Sequence, residues 1–157
     1  TNPAGVKKSL LGVFDKAFVP KMAEALKING STLAIVVSSA EGMDEISISD
    51  VSYACELRDG KMREFIIDPQ EYGIKRVPLK AIVGGNAKEN ASILYNIFDS
   101  KATDAQRDIV LINTACALMV DGLARDIQEG LEMATEALRN HRGKKKLKQI
   151  IEISNKL

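Results

Sequence analysis

Short apolar runs and one amphipathic stretch alternate along the first forty residues of the chain. Ser9 to Val13 is short and apolar and predicts a strand. Apolar residues then recur at helical spacing from Val19 to Leu26, and Asn29-Gly30 supplies a C-terminal stop. Leu33 to Val37 is continuous and rich in β-branched residues, so it predicts a strand covered on both faces. Together the three elements predict a right-handed βαβ unit and hence a parallel sheet.

The next segment shows the two-residue periodicity of a strand. From Val51 to Leu57, apolar positions alternate with polar or small ones. Asp59-Gly60 then favours a tight primed turn, after which Lys61 to Ile67 runs back. The pattern predicts a β-hairpin, and we expect it at the edge of the sheet.

After Tyr72-Gly73 the periodicity is helical only. Four helices are predicted, spanning Asn86 or Ala87 to Phe98, Asp104 to Val120, Leu123 or Asp126 to Asn140, and Lys144 to Ser154. The second of these carries apolar residues on all sides, so we expect it to be the most buried helix.

The order of these elements favours an α/β fold within a single domain of residues 1–157. No internal repeat or interdomain linker interrupts the chain, so we expect helices to cover the faces of one sheet. Because two or three parallel strands make a poor sheet alone, we expect this chain to contribute only part of it. The loop-like start at Thr1, without an initiating Met, also indicates a portion of a longer protein.

The composition argues against several classes of function. The 157 residues are 45% hydrophobic and 27% charged, as in ordinary soluble domains. The net charge of +1 gives no broad attraction for nucleic acid or anionic lipid, so neither is expected as a partner. No apolar run approaches the ~20 residues of a membrane span. Cys55 and Cys116 show no metal-binding spacing and suit small apolar positions in a reducing compartment, which indicates the cytoplasm.

The segment with the clearest chemistry is Glu41-Gly42-Met43-Asp44-Glu45. It follows the strand predicted at Leu33 to Val37, and ligands of open α/β sheets gather beyond the carboxyl ends of strands. Asp44 and Glu45 offer carboxylate oxygens to Mg²⁺, which usually takes one or two carboxylates and completes its shell with water and phosphate oxygens. The pair therefore suits a diphosphate, although an Asp-Glu dipeptide in a loop is more often solvated surface.

Other polar positions have a structural interpretation that we favour. Gly84-Gly85-Asn86 is compatible with a phosphate-binding nest, but an Asn cap after a flexible turn is favoured. His141 and the basic run Lys144 to Lys146 are expected at a solvated helix junction. Asn113, on the apolar helix with Arg107-Asp108, either satisfies a neighbouring backbone group or lines a site, and the structural role is favoured. No Walker loop, GxGxxG, GxSxG or His/Cys metal spacing occurs, so covalent catalysis is not expected.

Several segments, in order along the chain, resemble the anthranilate phosphoribosyltransferases. The resemblance rests on Thr1 to Gly5, Gly12 to Asp15, Met22 to Leu26, Ala34 to Val37, Gly42 to Ser47, Glu56 to Gly60, Gly84 to Ala87, Glu89 to Ala91, Arg107-Asp108 and Leu111 to Ala115. It spans nearly the whole chain and corresponds to the C-terminal portion of the family, without the N-terminal half. The implied fold is part of a phosphoribosyltransferase and nucleoside phosphorylase-like α/β domain.

The resemblance also implies a function. The family transfers the phosphoribosyl group of phosphoribosyl pyrophosphate to anthranilate in tryptophan biosynthesis, and we expect a homodimer when the enzyme is intact. By the same resemblance, Asp44 and Glu45 are the acidic pair that holds Mg²⁺ against the diphosphate. One departure is Ser38-Ser39, where family members often have His-Gly. The family's glycine-rich loop and basic anthranilate-side motif have no counterpart here, so we expect the chain to be inactive alone.

Two alternatives stay open at this point. One is a phosphoribosyltransferase or nucleoside phosphorylase of the same fold that acts on another acceptor, which would keep the acidic pair. The other is a non-catalytic binding module, which loss of the pair would favour. Both carboxylates of the acidic pair are present. The residues that choose the acceptor substrate are expected upstream of Thr1.

Overall fold

The computed structural model describes residues 5–156, so all but the last residue of the loop-like start predicted at Thr1 to Gly5 lies outside the described residues. Besides three short 3-10 turns, the described part forms four strands and five α-helices. They are β1 (Lys8–Gly12), α1 (Val19–Ile28), β2 (Leu33–Ser39), β3 (Ser52–Arg58), β4 (Lys61–Ile67), α2 (Ala87–Phe98), α3 (Asp104–Asp121), α4 (Ile127–Arg139) and α5 (Arg142–Ser154). The predicted α/β arrangement, with a helical second half, is confirmed.

The strands form one mixed sheet in the order β1-β2-β3-β4. β1 and β2 are parallel neighbours joined by α1, as predicted. β3 pairs antiparallel with β2 and with β4, so the predicted hairpin is confirmed. Its turn residues Asp59 and Gly60 both have positive φ, 50° and 77°, as a primed turn requires. Of the two hairpin strands, only β4 lies at an edge of the described sheet, because β3 is internal; β1 forms the other edge.

The residues of β2 alternate between two hydrophobic clusters. Ile35 and Val37 belong to the larger cluster, which includes Ile112 of α3. Val36 belongs to a smaller cluster with Val19 of α1. Successive side chains of a strand point to opposite faces, so a fully apolar strand needs cover on both sides. α1 and α3 supply it, and every residue of β2 is buried, as predicted.

α3 is the most buried helix, as its apolar composition predicted. Seven of its residues are buried, whereas no other of the five helices has more than three. Thr103 and Gln106 form a capping box at its start, and Gly122 ends it at a φ of 85°. The helix packs against β1 and β2 and brings its middle residue Asn113 to the carboxyl end of β2.

β2 continues two residues beyond its predicted end at Val37. Ser38 and Ser39 pair with the antiparallel strand β3, and both serines are buried. The alternating pattern of β3 also gave no sign that Glu56 is buried. Its carboxylate lies 2.8 Å from the guanidinium of Arg58 and 3.2 Å from that of Arg63, the pairing that a buried charge requires.

Cys55 and Cys116 are buried and free, as expected of small apolar core residues. Burial raises the pKa of the Cys55 thiol and raises the pKa of Cys116 to about 12. Among residues 5–156, no helix combines the length and the apolar character that a membrane crossing requires. The cellular compartment stays a prediction.

Candidate metal centre

Residues 40–51 join β2 to β3 and carry Asp44 and Glu45, which we call the acidic pair; we call the segment the acidic loop. Both side chains are exposed. The acidic loop begins at the carboxyl end of the buried strand β2. Ligands of open α/β sheets gather beyond the carboxyl ends of the strands. The pair therefore stands where the sequence predicted it, directly beyond a buried strand.

Hydrogen bonds at the end of β2 shape the first half of the acidic loop. The N–H of Ser39 donates to the carbonyl of Met43 at 2.9 Å, and the N–H of Met43 donates to Oγ of Ser39 at 2.8 Å. Gly42 turns the chain at a φ of 85°, which favours glycine. Of the two serines that stand where family members often have His-Gly, Ser39 therefore forms hydrogen bonds to the acidic loop. The hydroxyl of Ser38 is buried without a hydrogen-bond partner among the described residues.

Ser47 organises the second half of the acidic loop. Its hydroxyl donates to the carboxylate of Glu41 and accepts the N–H of Ser49 at 2.9 Å. Its own N–H donates to Oγ of Ser52 at 2.9 Å. The Glu41 carboxylate is thereby held within the loop by Ser47, whereas no hydrogen bond or ion pair among the described residues engages the carboxylates of the acidic pair.

β1 contacts the acidic loop through a residue without a side chain. An ideal β-carbon on Gly12 would lie 1.5 Å from the carbonyl oxygen of Asp44 and 2.4 Å from its carbonyl carbon. No side chain fits at that distance. Glycine is therefore required here by the close approach of two backbones.

α3 contacts the acidic loop through Asn113. Oδ1 of Asn113 accepts the N–H of Ile46 at 3.0 Å, while Nδ2 donates to the carbonyl of Ile46 at 2.8 Å and to that of Ile109 at 2.9 Å. The structural role favoured from the sequence is confirmed, because the amide satisfies neighbouring backbone groups. Asn113 also lines a groove beside the acidic pair.

This groove has a volume of about 640 Å³ and is largely apolar. Its walls come from the acidic loop, from α3 and from the segment before α2, including Met43, Ile82, Ile109 and Val110. Asp44 also borders a smaller apolar cleft next to β1. The acidic pair thus forms a polar rim on apolar surface, which suits a ligand with one cation-bound end and one apolar part.

The acidic pair is electrostatically suited to a cation. Partial loss of hydration next to the loop and, after it, the charge of Asp44 raise the pKa of Glu45. No lysine or arginine in the described part of the chain forms an ion pair with either carboxylate. Within residues 5–156, no third His, Cys, Asp or Glu completes a metal-binding group with them. Two carboxylates fit Mg²⁺, which draws its other ligands from water and phosphate oxygens.

Residues 1–144 match the model of a protein family described as the glycosyl transferase family, a/b domain. The chain belongs to this glycosyl transferase family. The matched segment includes both strands of the βαβ unit, the acidic loop and all of α3.

Curated relatives within this glycosyl transferase family bear out the resemblance seen in the sequence. The anthranilate phosphoribosyltransferase of Methanobrevibacter smithii is 40% identical over 155 residues, which are 99% of this chain and 46% of the relative. That of Xanthobacter autotrophicus is 40% identical over 157 residues, 100% of this chain and 45% of the relative. The chain spans a little under half the length of the curated relatives it matches.

Solved structures of the same name share the fold. The anthranilate phosphoribosyltransferase of Thermus thermophilus has a TM-score of 0.80 and 31% identity, covering 90% of this chain and 41% of its own. The Saccharomyces cerevisiae protein in complex with PRPP and Mg has a TM-score of 0.86 and 23% identity, covering 96% of this chain and 43% of its own. The yeast likeness shows the fold alone, and the predicted fold class is confirmed.

In this glycosyl transferase chain, Gly84-Gly85-Asn86 forms the helix cap favoured from the sequence. Oδ1 of Asn86 accepts the N–H groups of Lys88 at 3.0 Å and Glu89 at 3.1 Å, and the Glu89 carboxylate accepts the N–H of Asn86 at 2.7 Å. The N–H of Gly85 donates to Oδ1 of Asn90 at 2.8 Å. These side chains accept hydrogen bonds from the backbone N–H groups that a phosphate nest would use.

His141 and the basic run Lys144 to Lys146 lie at the junction of α4 and α5, as expected. His141 is exposed at a φ of 54°, and Lys144 pairs with Asp99 of the α2 C-terminus. None of these residues lines the groove beside the acidic pair.

Sequence reasoning missed two contacts of the family's acidic loop. Gly12 was placed in a strand and in a segment of the family resemblance but was given no contact, and Asn113 was identified without its partner Ile46. The available signal was a glycine inside an apolar strand, which marks a bulge or the close approach of another backbone.

Proposed function

We propose that this chain is the metal-binding part of an anthranilate phosphoribosyltransferase, with phosphoribosyl pyrophosphate and anthranilate as substrates and Mg²⁺ as cofactor. The observation that carries the proposal is the exposed acidic pair, which follows the buried strand β2 and borders an apolar groove. Relatives of 40% identity bear that name. The yeast protein of the same fold was solved with PRPP and Mg.

In this reaction the amine nitrogen of anthranilate forms a bond to the anomeric carbon of phosphoribosyl pyrophosphate. The bond from that carbon to the diphosphate oxygen breaks, its electron pair leaves with pyrophosphate, and the amine loses a proton. A bound Mg²⁺ would neutralise the negative charge that develops on the leaving diphosphate. Asp44 and Glu45 would hold the cation, and the packing of the loop against Gly12 restricts where the Asp44 backbone lies.

The chain alone is proposed to lack turnover. Holding the reactants in one arrangement contributes up to roughly 7–11 kcal/mol to such reactions. Two carboxylates position only a metal, and no lysine or arginine lines the groove beside them within residues 5–156. We therefore expect no phosphoribosyl-anthranilate from this chain by itself, measured by the consumption of anthranilate.

A segment exchange tests the proposed activity. The 155 matching residues of the Methanobrevibacter smithii relative are replaced by those of this chain. The chimera is expected to form phosphoribosyl-anthranilate with a requirement for Mg²⁺. Asp44→Asn or Glu45→Gln is expected to lower kcat/KM for phosphoribosyl pyrophosphate by about 100-fold, the scale of one lost electrostatic contact to a transition state.

The matched control is Glu152→Gln, which removes an exposed carboxylate of α5. It is expected to leave kcat/KM unchanged. An active chimera that keeps its rate and its Mg²⁺ requirement after both substitutions of the acidic pair would refute the assignment of metal ligands.

The alternatives make different predictions in the same assay. A nucleoside phosphorylase takes inorganic phosphate rather than a diphosphate, so its segment would not support the Mg²⁺-dependent reaction with phosphoribosyl pyrophosphate, whereas the segment of another phosphoribosyltransferase would. A non-catalytic module would give a folded but inactive chimera. The homodimer of the intact enzyme, the single domain of residues 1–157 and the cytoplasmic location stay predictions.

A further inference from the structure

The side chain of Asn113 meets the acidic loop at the residue that follows Glu45. We propose that Asn113 is a positioning residue for the metal site. Its amide fixes the backbone at Ile46 and thereby the direction in which the acidic pair presents its carboxylates. This inference rests on the proposed role of the pair as metal ligands.

Asn113 makes a two-point contact with a single residue. Its Oδ1 accepts the N–H of Ile46 at 3.0 Å, and its Nδ2 donates to the carbonyl of the same residue at 2.8 Å. A further bond of 2.9 Å from Nδ2 to the carbonyl of Ile109 ties the amide to its own helix. Because Nδ2 only donates and Oδ1 only accepts, these partners admit one orientation of the amide. The side chain is a fixed bridge from α3 to the loop.

Ile46 depends on this bridge because it is fully buried, with an exposure of 0%. A buried backbone N–H or carbonyl without a partner is costly. Among the hydrogen bonds of residues 5–156, Asn113 supplies the side-chain partners of both groups of Ile46. Without the amide, these groups need new partners, and we expect the loop backbone to shift as they find them. Glu45 is covalently next to Ile46, so that movement reorients the acidic pair first.

The demands of the metal make this orientation important. Mg²⁺ requires nearly octahedral geometry with ligands at about 2.0–2.1 Å. Both proposed ligands lie on one loop, which is held near the pair by the hydrogen bonds between Ser39 and Met43, by the backbone contact with Gly12 and by Asn113. Residues that orient metal ligands without touching the metal typically have a large effect on metal affinity.

Paramagnetic broadening by Mn²⁺ tests the inference on the full 157-residue chain. In the ¹⁵N-labelled wild-type chain, Mn²⁺ is expected to broaden the amide signals of residues 44–47 selectively, and the double variant Asp44→Asn/Glu45→Gln is expected to lose that broadening. Asn113→Leu and Asn113→Ser are expected to raise the apparent Kd for Mn²⁺ roughly 10-fold, as for other lost contacts to metal ligands. The two replacement side chains differ in size, and the test needs only one variant that folds.

A destabilised control separates positioning from general support of the fold. Ile97→Ala removes a buried side chain of α2, away from the acidic loop. If Asn113 only stabilises the fold, its variants will resemble Ile97→Ala, with a lower unfolding midpoint and wild-type Mn²⁺ affinity where all variants are folded. That result overturns the positioning role and leaves the metal site standing. A wild-type chain without selective broadening at residues 44–47 overturns both.

Discussion

The carbonyl oxygen of Asp44 occupies the space that a side chain on Gly12 would need. A β-carbon there would lie 1.5 Å from that oxygen, and the obstacle is backbone rather than the end of a flexible side chain. The contact joins the carboxyl end of β1 to the loop that follows its parallel neighbour β2. The position of the acidic pair is therefore linked to a residue that carries no functional group.

We expect Gly12→Ala to displace the backbone of Asp44. Overpacking of this kind lowers the free energy of unfolding by about 1–3 kcal/mol or more. The displaced acidic loop is also expected to bind Mn²⁺ more weakly. Urea unfolding and the Mn²⁺ broadening titration measure the two effects.

Gly60→Ala is the control for this prediction. Gly60 has a φ of 77° with open space around its β-carbon position, so alanine meets only left-handed strain, about 1–2 kcal/mol. Metal binding is expected to stay unchanged in this variant. If Gly12→Ala bound Mn²⁺ as tightly as Gly60→Ala does, the contact with β1 would not hold the loop.

Ser38→Ala is expected to leave the free energy of unfolding unchanged or to raise it by up to about 1 kcal/mol. The reason is that the Ser38 hydroxyl is buried and has no hydrogen-bond partner in the described part of the chain. Ser47→Ala serves as the contrasting variant, because the Ser47 hydroxyl bonds to Glu41 and Ser49. It is expected to destabilise the chain by about 1–3 kcal/mol. If urea unfolding showed that Ser38→Ala and Ser47→Ala lower the free energy of unfolding equally, the difference in hydrogen bonding between the two hydroxyls would not matter for stability.

The contact of Asp99 with Lys144 is expected to make stability depend on pH. A hydrogen bond from Lys144 lowers the pKa of Asp99 in the folded chain. A lowered carboxyl pKa stabilises the folded state fully above the ordinary aspartate pKa, and this stabilisation is lost as the pH falls through the lowered value. Lys144→Met should therefore reduce the urea midpoint at neutral pH and have little effect once Asp99 is protonated in both states.

The neighbouring substitution Lys145→Met removes the same charge from an exposed position of α5. It is expected to change the urea midpoint little at any pH. If Lys144→Met lowered the urea midpoint by the same amount from neutral to strongly acidic pH, the ion pair with Asp99 would not be the cause of the lower midpoint.

Cys55 and Cys116 are expected to resist alkylation by iodoacetamide in the folded chain. The thiolate is the reactive form, and burial raises the pKa of Cys55 and brings that of Cys116 to about 12. Both thiols should react after unfolding in urea, as mass spectrometry would detect. Rapid labelling of either thiol without denaturant would indicate that the strand or helix carrying it opens readily.

The sequence by itself determined the main elements of this protein, because they depend on the spacing of residues close together in the chain. The β-branched run at Leu33 to Val37 required cover on both faces, and the apolar surface of α3 required burial. Asp59-Gly60 specified its turn through backbone conformation. The acidic pair was found from its place after a strand, and the resemblance to a known family made it the leading candidate site.

Only the tertiary structure decided how the candidate site is held. Asn113 and Ile46 are 67 residues apart, and their hydrogen bonds exist because α3 crosses the carboxyl end of β2. The same packing brings the backbone of Asp44 against Gly12 and leaves Ser38 buried without a partner among the described residues. Local periodicity specifies which face of an element is apolar, but not which backbone groups meet when those faces pack. The path of the acidic loop's backbone was therefore determined by long-range contacts.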